Sequence, residues 1–109
     1  MIRPKDLLFK LGIYSSLIGY QYLTYGISLI LEDPSYLFSL TKRLYPAIGQ
    51  HFGKKNAAIE AGIRNSIQHF WWFGNRSLFT RIVGYTRTDP PSNGEFLSIV
   101  VDFLNNHRT

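Results

Sequence analysis

The chain has 109 residues, 45% hydrophobic and 16% aromatic, which is the usual size of one domain and supplies apolar side chains for a single core. It has no cysteine, which excludes disulfides and thiolate zinc sites and fits a reducing cytoplasm, and its three histidines (His51, His69, His107) lack the close spacing of metal ligands. The net charge of +5 is unevenly placed: Lys42 to Arg87 holds eight basic residues and one acid, Glu60, for +7, while the remainder is −2. A basic segment of this kind is the expected footprint of a polyanion-binding face, although a merely soluble basic domain has the same composition.

In chain order, Lys5 to Leu11 reads as a short amphipathic helix stopped near Gly12. Gly12 to Leu31, "GIYSSLIGYQYLTYGISLIL", carries no charge and is about as long as a bilayer span requires. Its three glycines, its Ser, Thr and Gln, and four tyrosines spread along its length argue against a membrane helix, which keeps tyrosine at its ends. A cleaved leader is not expected either, because Asp6 is among the first charges and no small-residue cleavage site follows an apolar block. Tyr20 to Leu31 places Leu23, Ile27, Ile30 and Leu31 on one helical face, and Pro34 is expected to open another helix whose apolar set is Leu37, Phe38, Leu40 and Leu44.

Tyr45 to Phe52 reads as a short helix opened by Pro46, with Ile48 and Phe52 at i and i+4. Gly53-Lys54-Lys55 forms a turn, and Asn56 is the expected N-cap of the next helix. In that helix Ile59, Ile63, Ile67 and Phe70 or Trp71 recur every three or four residues and form the core face, before Gly74-Asn75 stops it. Ser77 to Val83 gives a further short helix, "GYTRTDPPSNG" a loop, and Glu95 to Asn105 a last helix with Phe96, Ile99, Val100, Phe103 and Leu104 on its apolar stripe. The expected fold is all-α: a compact bundle of six or seven helices forming one domain over residues 1–109, with no internal repeat.

The helix beginning at Asn56 has a second face, formed by Ala57, Glu60, Ala61, Arg64, Asn65 and Gln68 and preceded by Lys54 and Lys55. A short helix, a tight glycine turn and a helix of this kind have the layout of a helix-turn-helix. Small residues let such a helix sit deep in the major groove of double-stranded DNA, arginine and amides reach base edges, and lysines reach phosphates. The candidate DNA-binding residues are therefore Lys54, Lys55, Asn56, Glu60, Ala61, Arg64, Asn65, Gln68 and Arg76. The alternative for the same residues is an ordinary solvated helix face.

Other features point less far. "FWWFGN", Phe70 to Asn75, suits a core cluster at a helix end better than a base-stacking platform, and Trp72 and Phe73, if exposed, suit a protein contact. Glu32 and Asp33 read as helix-boundary residues without a catalytic partner. No P-loop, nucleotide fingerprint or nucleophile elbow occurs, so neither an enzyme, a cofactor nor a small-molecule substrate is expected.

A set of spaced residues resembles a known family almost end to end. It comprises Gly12-Ile13, Gly19-Tyr20-Gln21-Tyr22-Leu23, Thr41-Lys42 with Leu44-Tyr45-Pro46, Ile48, Phe52, Ile59-Glu60, Ile63-Arg64, Ile67, Trp71, Gly74-Asn75, Gly84-Tyr85, Asn93 with Glu95-Phe96, and Asp102 with Leu104. The family is the C-terminal DNA-binding effector domain of the stage-zero sporulation master regulator of endospore-forming Firmicutes. The resemblance implies an all-helical cytoplasmic transcription regulator whose helix-turn-helix binds promoter boxes as a tandem homodimer, under the control of an N-terminal receiver domain. With no receiver ahead of Met1, the sequence is expected to be an excised effector or a protein that does without phosphorylation control. Where the family carries a base-reading arginine after the glutamate, this chain has Ala61; Glu60 and Arg64 match, and Lys54 and Lys55 replace turn hydroxyls. General DNA binding is therefore implied, but not the family's box sequence. The runner-up is a degenerate effector serving as a protein-interaction module through Trp72, Phe73 and the last helix.

Overall fold

The structure, a computed structural model, describes residues 2–107. Among the described residues six α-helices pack around one core: α1 (Pro4–Leu11), α2 (Ile18–Glu32), α3 (Tyr45–Phe52), α4 (Asn56–Phe73), α5 (Arg76–Val83) and α6 (Asn93–Asn106). The described residues contain no strand. The all-α bundle expected from the periodicity is the fold observed.

Helix α1 starts with Pro4 at its first position and ends in a left-handed turn at Gly12, φ +98°. The Gly12 N–H reaches the Phe9 carbonyl at 3.0 Å and the Ile13 N–H reaches Leu8 at 2.8 Å, the paired bonds that close a helix on glycine. Within the uncharged run the chain stays non-helical through residue 17, so that α2 has only 15 residues, and no described helix is long and apolar enough to cross a membrane. The glycines of the run are packing points instead. Gly19 lies against the backbone of Gly62 in α4, and Gly26 lies against Ile48 in α3.

The segment after α2 departs from expectation. Pro34 opens no α-helix: Pro34–Phe38 is a 3₁₀ turn, Ser39 is non-helical, and Leu40–Leu44 is a wide π-type turn running into α3. Side-chain bonding explains the tight first turn. Asp33 caps it by accepting from the Ser35 N–H at 3.1 Å, and Arg43 donates to Ser35 Oγ at 2.7 Å and Asp33 Oδ2 at 3.2 Å while lying 4.5 Å from the Tyr36 ring centre. The expected apolar face is correspondingly lost. Leu44 is buried, Leu37 and Leu40 are half-buried, and Phe38 is 89% exposed.

Ile59, Ile63, Ile67, Phe70 and Trp71 of α4 are all buried. Phe70, Phe79 and Phe96 bring α4, α5 and α6 together, with ring centroids 5.2–5.9 Å apart. Helix α6 begins at Asn93 rather than Glu95 because Ser92 and Glu95 form a reciprocal capping box. Helix α5 begins at Arg76, capped by Asn75, whose Oδ1 accepts from the Leu78 N–H at 3.0 Å.

Candidate nucleic-acid interface

The candidate interface expected from the sequence falls on α3, the turn at residues 53–55, and α4. Gly53 is left-handed, φ +69°, which lets the chain reverse within this turn. Gly49 makes the turn compact, because a Cβ there would lie 2.4 Å from the Lys54 carbonyl oxygen. Lys54 and Lys55 stand exposed at the turn, directly before α4.

Asn56 does not cap α4. Lys55 occupies the N-cap position without a side-chain cap bond, and Asn56, already inside the helix, donates from Nδ2 to the Thr41 carbonyl at 3.2 Å. This bond ties the start of α4 to the π-type turn. A carbonyl brought close by the tertiary fold has displaced the local cap that the sequence suggests.

Along α4 the buried isoleucines occupy one side, and Ala57, Arg64, Asn65 and Gln68 are exposed on the other with Ala61 half-covered among them. Glu60 stands at the border and forms an i,i+4 ion pair with Arg64. The Glu60 backbone is fixed from behind: Asn93 Nδ2 donates to its carbonyl at 3.2 Å and to Tyr45 Oη at 3.0 Å, joining α3, α4 and α6. Burial is the main reason the Tyr45 hydroxyl is pushed above the ordinary tyrosine range. These three residues position the face, and the sequence reading missed the link because it spans 33 and 48 residues of chain.

Arg76 stands apart from the other candidates, beyond the end of α4. Its guanidinium lies 4.8 Å from the Trp71 ring centre and 5.9 Å from that of Trp72. Trp71 belongs to the core, whereas Trp72 and Phe73 are 65% and 78% exposed. Trp72 continues the outward row at helical spacing after Ala61, Asn65 and Gln68, a periodicity that the sequence carries. His51 is exposed and stacks on Tyr25 at 4.1 Å, and His69 packs beside Phe73 at 5.2 Å. The described residues hold no group of three side chains suited to a metal ion.

The family model described as "Sporulation initiation factor Spo0A C terminal" matches residues 5–104. The chain belongs to that family. The Spo0A C-terminal domain is the DNA-binding effector of a sporulation regulator, so DNA binding, transcription regulation and sporulation are the setting of this fold. It is a transcription-factor domain family, not an enzyme family, and double-stranded DNA is its partner class.

Proposed function

We propose that this Spo0A-type domain binds double-stranded DNA sequence-specifically, with α3, the turn and α4 acting as a helix-turn-helix and α4 lying in the major groove. The observation that carries the reading is the composition of the outward side of α4: small, amide and arginine side chains from Ala57 to Gln68, with Lys54 and Lys55 exposed at its start. Arg64, Asn65 and Gln68 reach base edges, with Glu60 and Ala61 beside them. Lys54, Lys55 and Arg76 hold phosphates, and Asn56 fixes the start of the helix. The unit is one effector domain, acting in the cytoplasm and as a homodimer on DNA.

Selection from a random duplex pool at near-physiological salt, followed by titration of the best duplex against a scrambled one, tests this reading. Arg64→Ala should relax preference at one base by about 1–3 kcal/mol. Lys55→Ala should weaken all sequences alike and reduce the salt slope by about 0.9. If neither substitution changes binding, the assigned face is wrong.

A second reading is favoured by the exposure of Trp72 and Phe73: a protein-interaction module. It gains if selected duplexes share no motif while Trp72→Ala abolishes binding to a protein partner.

A further inference from the structure

The start of α5 and the loop after it enclose a cleft of about 400 Å³, lined by Trp71, Arg76, Ser77, Thr80, Thr86 and Arg87. Its lining residues carry two guanidiniums and three hydroxyls, set among apolar surface, with no carboxylate among them. The Trp71 indole Nε1–H is buried and finds no acceptor among the described residues. A buried donor left without an acceptor is costly, and because Trp71 is one of the residues lining the cleft its indole reports on what binds there.

The two arginines differ in how much of their charge is already used. Arg76 makes no ion pair among the described residues and is held by the Trp71 and Trp72 rings. Arg87 is half-buried, donates from Nε to the Asp89 carbonyl at 3.3 Å, and meets the exposed Glu95 carboxylate at 3.5 Å through both terminal nitrogens. Those contacts with Glu95 are long for a guanidinium–carboxylate pair, so Arg87 retains donor capacity.

We propose that this cleft is a binding site for a phosphate group, held between Arg76 and Arg87 with the hydroxyls of Ser77, Thr80 and Thr86 on its remaining oxygens. A tetrahedral oxyanion offers the several acceptors that these donors require. The phosphate has two chemical sources: a backbone phosphodiester of bound duplex, or a free phosphate or phosphate ester. Placement favours the duplex, because Arg76 of the cleft lies 5.9 Å from the ring centre of Trp72, which continues the outward row of α4 after Gln68. In that form the inference rests on the DNA-binding reading.

The test is a titration of the ¹⁵N-labelled full chain with inorganic phosphate against chloride at matched ionic strength, read at the Trp71 indole N–H and the amides of Ser77, Thr80 and Thr86. A parallel titration uses duplex DNA. Saturable phosphate shifts at these groups, weakened about tenfold or more by Arg76→Gln, support the site. Arg87→Gln should act in the same direction, and the exposed Arg76 variant suffices if the half-buried one fails to fold. Duplex that moves the Trp71 indole, with a salt slope lowered by about 0.9 in Arg76→Gln, identifies the backbone phosphodiester. Phosphate binding that persists on the duplex-bound protein with an unchanged slope identifies a free ligand. Phosphate shifts that survive Arg76→Gln, or no movement of the Trp71 indole with either probe, overturn the site. Failure of the DNA reading shows separately, as duplex binding indifferent to Lys55→Ala and Arg64→Ala.

Discussion

Gly19 and Gly62 touch where α2 crosses α4: a Cβ on Gly19 would lie 2.1 Å from the Gly62 carbonyl oxygen and 2.2 Å from Ser66 Oγ. The obstacle is helix backbone and cannot rotate away. Gly19→Ala should therefore push the helices apart and destabilise the fold by about 3 kcal/mol, the upper end for overpacking. For a domain of this size that is a fall in Tm of roughly 10–20 °C by calorimetry. Gly26→Ala is the control, because its Cβ would meet only the Cδ1 end of Ile48, at 2.9 Å, and it should cost under about 1 kcal/mol. Equal effects from the two substitutions would refute the close crossing.

The Asn93 bridge should matter as much for shape as for stability. Asn93→Ala removes donors to Tyr45 Oη and the Glu60 carbonyl, and denaturant titration should show a loss of about 1–3 kcal/mol. Tyr45→Phe leaves the Glu60 bond intact and should cost about 1 kcal/mol. The two losses should combine to less than their sum in the double variant, because they share one side chain.

The legible parts of the molecule were those set by period and punctuation. The isoleucine face of α4, a stop near Gly12 and the short α3 opened by Pro46 are legible in spacing and punctuation, because each is fixed by neighbours in the sequence. Three features were not legible for one shared reason, competition by side-chain or tertiary bonds. Asn56 leaves the cap position for the distant Thr41 carbonyl, Asp33 and Arg43 tighten the turn after Pro34 so that Phe38 faces solvent, and Asn93 reaches across the bundle to α3 and α4. The outward face of α4 was readable as a set of side chains. Its chemistry in place was not: Arg64 lies paired with Glu60, and Arg76 lies against two tryptophans.

Acid should weaken the fold through three carboxylates. The Ser92 backbone N–H, with Arg87 adding to it, holds Glu95 below the usual glutamate range; Arg3 does the same for Asp6, and Ser35, aided by Arg43, for Asp33. A depressed folded-state pKa contributes stability that is complete above the unfolded value, about 3.9–4.3, and is lost as pH falls through the lower folded value. Denaturation midpoints should thus be level from pH 7 to about 5 and decline below about 4. Glu95→Gln removes the charge that the Ser92 backbone N–H and Arg87 stabilise while leaving Ser92 Oγ to accept from the backbone N–H of residue 95, and should flatten part of that acid decline. An acid decline identical in the variant would remove Glu95 from the explanation.

Ala61 is where an added arginine would test the outward side of α4. The position is half-covered on the outward side of α4, one residue after Glu60 and three before Arg64, so a long side chain placed there projects along the same face without entering the core. Glu60 already pairs with Arg64 at i,i+4, and a side chain at 61 points away from Glu60, so that pair should stay as it is. Ala61→Arg should therefore leave stability within about 0.5 kcal/mol, as for most exposed substitutions. On DNA it should add about 1–3 kcal/mol of discrimination in favour of guanine at one new position of the selected site. Competition titrations with duplexes varied at single base pairs measure both the new preference and the existing ones. A uniform gain across all duplexes would mean that the added charge meets phosphate, which would place Ala61 at the wall of the groove and rotate the proposed docking of α4 accordingly.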